Sequence, residues 1–156
     1  MVAAARAFLG TPYRHQASTP GAGCDCLGLL RGVWRALYGD EPMAMPAYRP
    51  GMRDPLNAGA LRLAAEQFLL AEHGPLAAGQ VVLFRLNGAA EPKHCGILLG
   101  PDWFIHAQER LGVVEANLTE AWVTRVKGRF RFPEVLTSPL GRGRRVAPGE
   151  GAFSEL

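Results

Sequence analysis

The spacing of apolar residues in the first third of the chain is helical. Residues 2–9 form a short apolar stretch that ends at "GTPY", because proline disfavours helical geometry for the residue before it. From Cys26 to Tyr38 apolar residues recur every three or four positions, with Asp25 at the N-cap position and Gly39 directly after the run. The pattern predicts a short first helix and a longer second helix that begins at Cys26.

A third apolar stripe spans residues 61–69. It follows Asp54-Pro55, a typical cap and first-turn pair, and we expect it to end at His73-Gly74. Five short segments rich in β-branched and aromatic residues come next: "QVVLFRL", "HCGILLG", "WFIHA", "GVVEA" and "GRFRF". Helices first and strands afterwards indicate the α+β class, with N-terminal helices packed on an antiparallel sheet of five to six strands.

The periodic pattern ends near residue 136. Residues 137–156 are rich in Pro, Gly and Arg, so we expect a domain at 1–136 and a basic extension at 137–156. A segment of this composition does not fold alone. Its arginines, with Phe153 and Leu156, suit charged and apolar contacts, and we expect it to dock the domain onto a larger assembly.

Composition narrows the function classes. A chain of 156 residues, 48% hydrophobic and 20% charged, has enough apolar material for one folded domain. A net charge of +3 does not indicate a nucleic-acid-binding surface. No apolar run approaches the ~20 residues that span a bilayer, and the start "MVAAARAFLGTPY" is expected to be a helix rather than a secretory signal.

The cysteines raise the question of what thiols do at a helix start. Three cysteines exclude a complete disulfide framework, and Cys24 and Cys26 are too close in sequence to bridge easily. Unpaired N–H groups and the helix dipole favour a thiolate at Cys26, whereas the neighbouring Asp25 disfavours it. On this helix alone, a nucleophile and a buried structural cysteine both stay open.

Two histidines lie on neighbouring predicted strands. His94 begins "HCGILLG" and His106 ends "WFIHA", so a hairpin about residues 100–102 places them opposite or nearly opposite, on one face of the sheet. Cys95 then faces the other side and is assigned to core packing. A helix-start thiolate, a histidine base and a polar group that orients the base form the papain-like arrangement.

Zinc is the alternative use of the same residues. Cys24, Cys26, His94 and His106 are suitable ligand types, but C-x-C is not the usual C-x₂₋₄-C spacing and a helix start splays the two thiols. We therefore expect no metal and no cofactor, with zinc as the minor alternative.

Four segments in order resemble the NlpC/P60 family of cell-wall cysteine peptidases, over most of residues 3–133. They are "FLGTPYRHQASTPGAGCDCLGLLRGVWRALYG", with its G-x-P-Y turn and D-C-x-G helix start, then "LAAGQVVLFR", "KHCGILLG" and "WFIHA". The resemblance implies a papain-like fold in which Cys26 is the nucleophile, His94 the base and His106 the group that orients it.

The resemblance also implies a substrate. Members of this family cleave the peptide stems of peptidoglycan, typically at the γ-D-glutamyl–diaminopimelate bond. Tyr13 would lie beside the nucleophile, and we assign Asp25 and His15 to the substrate-binding rim with it. Leu27 stands where the family usually has serine, which affects recognition of a free stem amine.

The stretch "DCLGLLRGVW" looks more like the phage-type subgroup, whose members are carried on tails of phages and gene transfer agents. It implies a protein made in the cytoplasm, bound to a tail hub or baseplate protein, and acting on the periplasmic cell wall. Two alternatives stay open: a structural tail-tip or adaptor protein with little activity, and amidase or acyltransferase chemistry on the same site.

Overall fold

The computed structural model describes residues 1–49, 58–137 and 143–145. The helices of this part are α1 (Val2–Arg6), α2 (Cys26–Tyr38), α3 (Ala60–Phe68) and α4 (Glu120–Val123). The strands are β1 (Ser18–Thr19), β2 (Gly23–Cys24), β3 (Leu70–Ala71), β4 (Gln80–Phe84), β5 (His94–Leu98), β6 (Trp103–Gln108), β7 (Gly112–Asn117), β8 (Val126–Arg131), β9 (Val135–Thr137) and β10 (Gly143–Arg145).

Six strands form an antiparallel sheet in the order β3-β8-β4-β5-β6-β7. The five strands predicted from the sequence are β4 to β8, and β3 is the sixth. The remaining strands form two separate pairs, β1 with β2 and β9 with β10. The predicted α+β class, with helices preceding an antiparallel sheet of five to six strands, is confirmed.

Apolar side chains cover both faces of the central strands. On one face Val81, Ile97 and Ile105 pack with helix residues such as Leu29 and Val33, all at 0% exposure. On the other face Phe84 and Phe104 pack with Trp122, which α4 supplies. Every residue of β4 is therefore buried, so its sequence is apolar almost throughout rather than alternating.

Helix α2 has the bounds that its caps predict. The Oδ1 atom of Asp25 accepts a hydrogen bond from the backbone N–H of Gly28 at 2.7 Å, which satisfies one of the unpaired donors of the first turn. Gly39 follows the last helical residue with φ +88°, a conformation that a side chain would strain. Cys26 is therefore the first residue of the helix.

The other helices differ from the prediction. Helix α1 ends at Arg6, and four turn residues, 7–10, follow it. Helix α3 ends at Phe68 because Leu69 is extended and Leu70–Ala71 then pair with β8. The expected end at His73-Gly74 was wrong. The chain leaves the helix earlier because it pairs with β8, and the helical pattern of the sequence does not reveal this pairing. Asp54-Pro55 lies outside the described residues.

The expected boundary at residue 136 falls inside β9, which pairs with β10. Residues 138–142 and 146–156 lie outside the described part, so the division into domain and extension stays a prediction. In the described ranges no helix is long and apolar enough to cross a bilayer.

Candidate active site

Cys26 lies at the N-terminus of α2, where the preceding loop is held closely against the helix. Tyr13 forms a parallel bridge with Cys24, and Asp25 N donates to Ala17 O at 3.2 Å. A Cβ atom added to Gly28 would lie 1.9 Å from Ala17 O, so only glycine permits this approach. These contacts leave Cys26 8% exposed, with its side chain at the wall of a cavity.

The two histidines meet through the β5–β6 hairpin. Ile97 pairs with Ile105 in the register, which places Gly96 opposite His106 and His94 one diagonal step away on the same face. His94 Nε2 and His106 Nδ1 are 2.8 Å apart. The prediction of a nearly opposite pair is confirmed. A Cβ at Gly96 would lie 2.9 Å from the backbone oxygen of Ile105, so glycine permits the close packing of the strands at this point.

His106 is neutral in this environment. It is 1% exposed, and burial, together with the neighbouring His94, lowers the pKa of its imidazole to about 3. A neutral His106 with its proton on Nε2 accepts a hydrogen bond at Nδ1 from His94 Nε2–H. That tautomer leaves Nδ1 of His94 unprotonated and able to take a proton from a thiol.

Aromatic rings enclose the histidine pair. The ring of Trp122 lies 5.9 Å from His94 and 5.4 Å from His106, measured between centroids. Phe104 lies 4.6 Å from His106, and Phe84 lies 6.0 Å from His94. The two phenylalanine rings offer no hydrogen-bonding group, and within this aromatic enclosure the hydrogen bond between the two imidazoles orients His94.

The Cys26 thiol is activated by its neighbours. Hydrogen bonding with the Cys95 side chain and with His94 holds the pKa of Cys26 well below its ordinary value, although burial and the Asp25 carboxylate act in the opposite direction. Burial raises the pKa of Cys24 to about 12. Of the two cysteines at the helix start, Cys26 is therefore the one whose surroundings favour the thiolate.

One cavity of about 340 Å³ contains all six residues that the sequence analysis selected. Its walls include Tyr13, His15, Asp25, Cys26, His94 and His106, together with Tyr48, Leu86, Asn87, Ala89, Lys93, Ala107, Gln108, Glu109 and Trp122. The fold thus brings the six together from three separate segments of the chain. Their catalytic and substrate-binding roles stay predictions.

The carboxylate of Asp25 is 2% exposed and already well satisfied. Besides the cap to Gly28, its Oδ2 atom accepts hydrogen bonds from the backbone N–H of Gln16, at 2.7 Å, and from the Tyr48 hydroxyl. His15 Nε2 lies 2.6 Å from the carbonyl oxygen of Tyr48. Tyr48 therefore joins His15 and Asp25 into one rim of the cavity.

Three contributors to the site were missed in the sequence. Tyr48 lies in a loop without periodicity, and Trp122 lies on a four-residue helix too short to show any. Cys95 is buried on the α2 side, as the strand alternation predicts, but it also contacts Cys26. Of these three residues, only Cys95 could have been selected from the sequence, because a free cysteine is itself a candidate for chemistry.

Among the described residues, no group of three or more His, Cys, Asp or Glu side chains is arranged to hold a metal ion.

The sequence profile of the NlpC/P60 family matches residues 10–131, more than half of the chain and the whole of the site. The chain belongs to this family.

Solved structures of NlpC/P60 proteins share the fold. A family member from Bacillus cereus ATCC 10987 matches with a TM-score of 0.61 at 18% identity, over 84% of this chain and 38% of that one. A protein similar to lipoprotein, of the NLP/P60 family, from Staphylococcus aureus subsp. aureus Mu50 gives 0.52 at 20% identity, over 84% of this chain and 39% of that one. This chain spans about two-fifths of the length of either protein.

The isolated NlpC/P60 domain of the peptidoglycan hydrolase SagA is similar over nearly its full length. The TM-score is 0.57 at 20% identity, and the match covers 84% of this chain and 95% of that domain. The similarity therefore corresponds to one NlpC/P60 domain.

Proposed function

We propose that this protein is a cysteine peptidase that hydrolyses the peptide stems of bacterial peptidoglycan. The observation that carries the proposal is Cys26 at the start of α2, in one cavity with a His94–His106 pair joined at 2.8 Å. Family membership supports it, as does the structural similarity to the domain of a protein named as a peptidoglycan hydrolase.

In the proposed reaction His94 takes the Cys26 proton at Nδ1, and the Cys26 thiolate attacks the carbonyl carbon of the scissile bond. Backbone N–H groups at the start of α2 stabilise the oxyanion. His94 then donates its proton to the leaving amine, which departs and leaves a thioester on Cys26. Water, deprotonated by His94, hydrolyses the thioester and restores the thiol. His106 stays neutral throughout and keeps His94 oriented.

The bond proposed for cleavage is γ-D-glutamyl–diaminopimelate. This segment of a stem carries carboxylates and an amine. The cavity has side chains suited to both, since Lys93 and His15 line it together with Glu109. Polar and charged partners of this kind orient a substrate without carrying the chemistry.

We also propose that the protein acts from the tail of a phage-like particle, bound to a hub or baseplate protein, on the periplasmic cell wall. The support is the "DCLGLLRGVW" stretch, with leucine after the nucleophile, and the basic composition of residues 137–156.

The test is digestion of purified sacculi by the wild-type protein and by a Cys26→Ala variant, followed by mass spectrometry. A Cys24→Ala variant is the matched control, because Cys24 is a buried thiol two residues away whose Sγ donates to the backbone carbonyl of Asp25. We expect wild type and Cys24→Ala to release fragments with a new diaminopimelate N-terminus, and Cys26→Ala to release none.

Other products decide between the alternatives. Cleavage between the glycan and the first stem residue identifies an amidase, and transfer products identify an acyltransferase. If the wild-type protein leaves the sacculi intact, the result favours the structural adaptor role over a hydrolase. Equal release by Cys26→Ala rejects the nucleophile.

A further inference from the structure

Cys95 is a second thiol in contact with the nucleophile. It follows His94 on β5 and is 0% exposed on the face that packs against α2. Its Sγ atom donates a hydrogen bond to the backbone carbonyl oxygen of Cys26 at 3.2 Å, and its side chain is the neighbour that most lowers the pKa of the Cys26 thiol. Two consecutive residues of one strand thus both contact Cys26.

The Cys95 thiol has one proton, and Cys26 offers two kinds of acceptor, its carbonyl oxygen and its sulfur. While Cys26 is a neutral thiol, its carbonyl oxygen is the better acceptor, because neutral sulfur accepts hydrogen bonds weakly. When Cys26 ionises, the thiolate becomes the better acceptor, since hydrogen bonds to charged groups are roughly twice as strong as neutral ones. A rotation of one S–H bond transfers the hydrogen bond between them without moving the backbone.

We propose that Cys95 is a positioning residue that stabilises the Cys26 thiolate by donating its S–H hydrogen bond to it, and that returns this bond to the Cys26 carbonyl oxygen when the sulfur is acylated. The inference deepens the proposed function and rests on Cys26 being its nucleophile. It gives Cys95 a functional role, whereas the strand pattern alone predicts only core packing for this residue.

The electrostatics agree with this direction of donation. The contact with Cys26 and burial both raise the pKa of Cys95 well above its ordinary value, so Cys95 keeps its proton where Cys26 has lost its own. The Cys95 side chain is also the largest influence that lowers the pKa of Cys26. His94 supplies a second stabilising contact, so the thiolate does not depend on Cys95 alone.

Cys95→Val tests the proposal because valine fills a similar volume but has no donor, and Cys95→Ser keeps a donor. Cys24→Val is the matched control. Cys24 is also 0% exposed and donates its S–H to a carbonyl oxygen, that of Asp25 at 3.1 Å. If either valine variant does not fold, the alanine variants at the same two positions replace them and remove the same hydrogen bonds.

The measurement is the pH dependence of Cys26 alkylation by iodoacetamide, followed by peptide mass spectrometry so that each cysteine is read separately. We expect the midpoint to rise by about one to two pH units in Cys95→Val, the effect of losing one hydrogen bond to a charged group. Below both midpoints, alkylation slows by about 10- to 100-fold. The midpoint should stay near that of wild type in Cys95→Ser and Cys24→Val.

An unchanged midpoint in Cys95→Val shows that Cys95 only packs, and failure of serine to restore it overturns the proposal as well. The acid limb of kcat/KM should shift with the alkylation midpoint. Alkylation does not require turnover, so the role proposed for Cys95 can be rejected independently of the proposed peptidase activity. A shifted midpoint in a protein that releases nothing from sacculi rejects the peptidase but keeps the thiol pair.

Discussion

At the residue scale, the unusual member of the site is His106. The third residue of a Cys–His arrangement holds the base in one tautomer, and a carboxylate would also stabilise its positive charge. Burial keeps His106 neutral, so it orients His94 through a single hydrogen bond and adds no charge. A neutral imidazole is also less costly to bury among the rings of Phe104 and Trp122 than a carboxylate.

Because His94 is the proposed base and His106 only orients it, substitution of the two histidines should lower activity to different extents. His94→Ala removes the base and should lower kcat by about 10²- to 10⁴-fold. His106→Ala should retain partial activity, because His94 keeps its proton-accepting atom but loses its orientation. His106→Asn, whose side-chain oxygen can accept from His94 Nε2–H, should retain more activity than His106→Ala.

The measurement is steady-state hydrolysis of a soluble muropeptide by the three variants, with melting temperatures to confirm that each is folded. Near wild-type turnover by folded His94→Ala would reject His94 as the base. Equal loss in His106→Ala and His106→Asn would show that the acceptor atom at this position does not matter.

At the scale of one element, the first turns of α2 are positioned by two glycines. A Cβ on Gly28 would lie 1.9 Å from the backbone oxygen of Ala17, and one on Gly32 would lie 2.1 Å from the ring of Phe8. The loop backbone therefore approaches the helix more closely than any side chain at Gly28 permits, and the Phe8 ring, from the turn after α1, packs directly on Gly32. This approach determines where Cys26 lies relative to the sheet that carries His94.

Gly28→Ala tests the importance of this close approach. Alanine is the better helix former by up to about 1 kcal/mol, but here its methyl group would overlap a backbone atom, which cannot move as a side-chain end can. Overpacking of this kind costs about 1–3 kcal/mol, so we expect lower stability and lower activity. Urea unfolding and muropeptide hydrolysis measure the two effects.

Gly100→Ala is the control for that variant. A Cβ there meets no atom within 4 Å, and the residue has no positive φ. We expect its stability to remain within about 0.5 kcal/mol of wild type. If Gly28→Ala is as stable and active as this control, the loop is mobile enough to yield and does not determine the position of Cys26.

At the scale of the whole molecule, the site lies where helices from both ends of the domain meet the sheet. Helix α2 supplies the thiol from one face, and α4 covers the histidines from the other. The described packing continues to Phe132, which is 2% exposed, and to Pro133, whose carbonyl oxygen accepts from the Tyr38 hydroxyl. All the described residues that line the cavity also precede residue 137.

Deletion of residues 137–156 should therefore leave hydrolysis of soluble muropeptides unchanged. If the proposed docking is correct, the same deletion should release the protein from its particle. The measurements are turnover of the purified truncated protein and its copurification with particles, each against the full-length chain. Full occupancy on the particle would show that this segment is not the anchor, and loss of turnover would show that it belongs to the domain.

Local signals in the sequence were sufficient to predict α2 and the five long strands. They also selected Cys26, His94 and His106, which the structure places in one cavity. The N-cap at Asp25 and the alternation along β5 each depend on a few neighbouring residues, so a short window contains the information. The ordered motifs identified the same residues and the family, since those motifs also lie within short segments.

The tertiary structure alone decided which distant residues meet. Cys95 reaches Cys26, and Tyr48 reaches Asp25, across long stretches of chain. Trp122 reaches both imidazoles from a helix of four residues. Such contacts depend on the course of loops and on strand pairing, including the pairing that ends α3 early. They follow from how the whole chain packs, and no periodicity in a single segment specifies them.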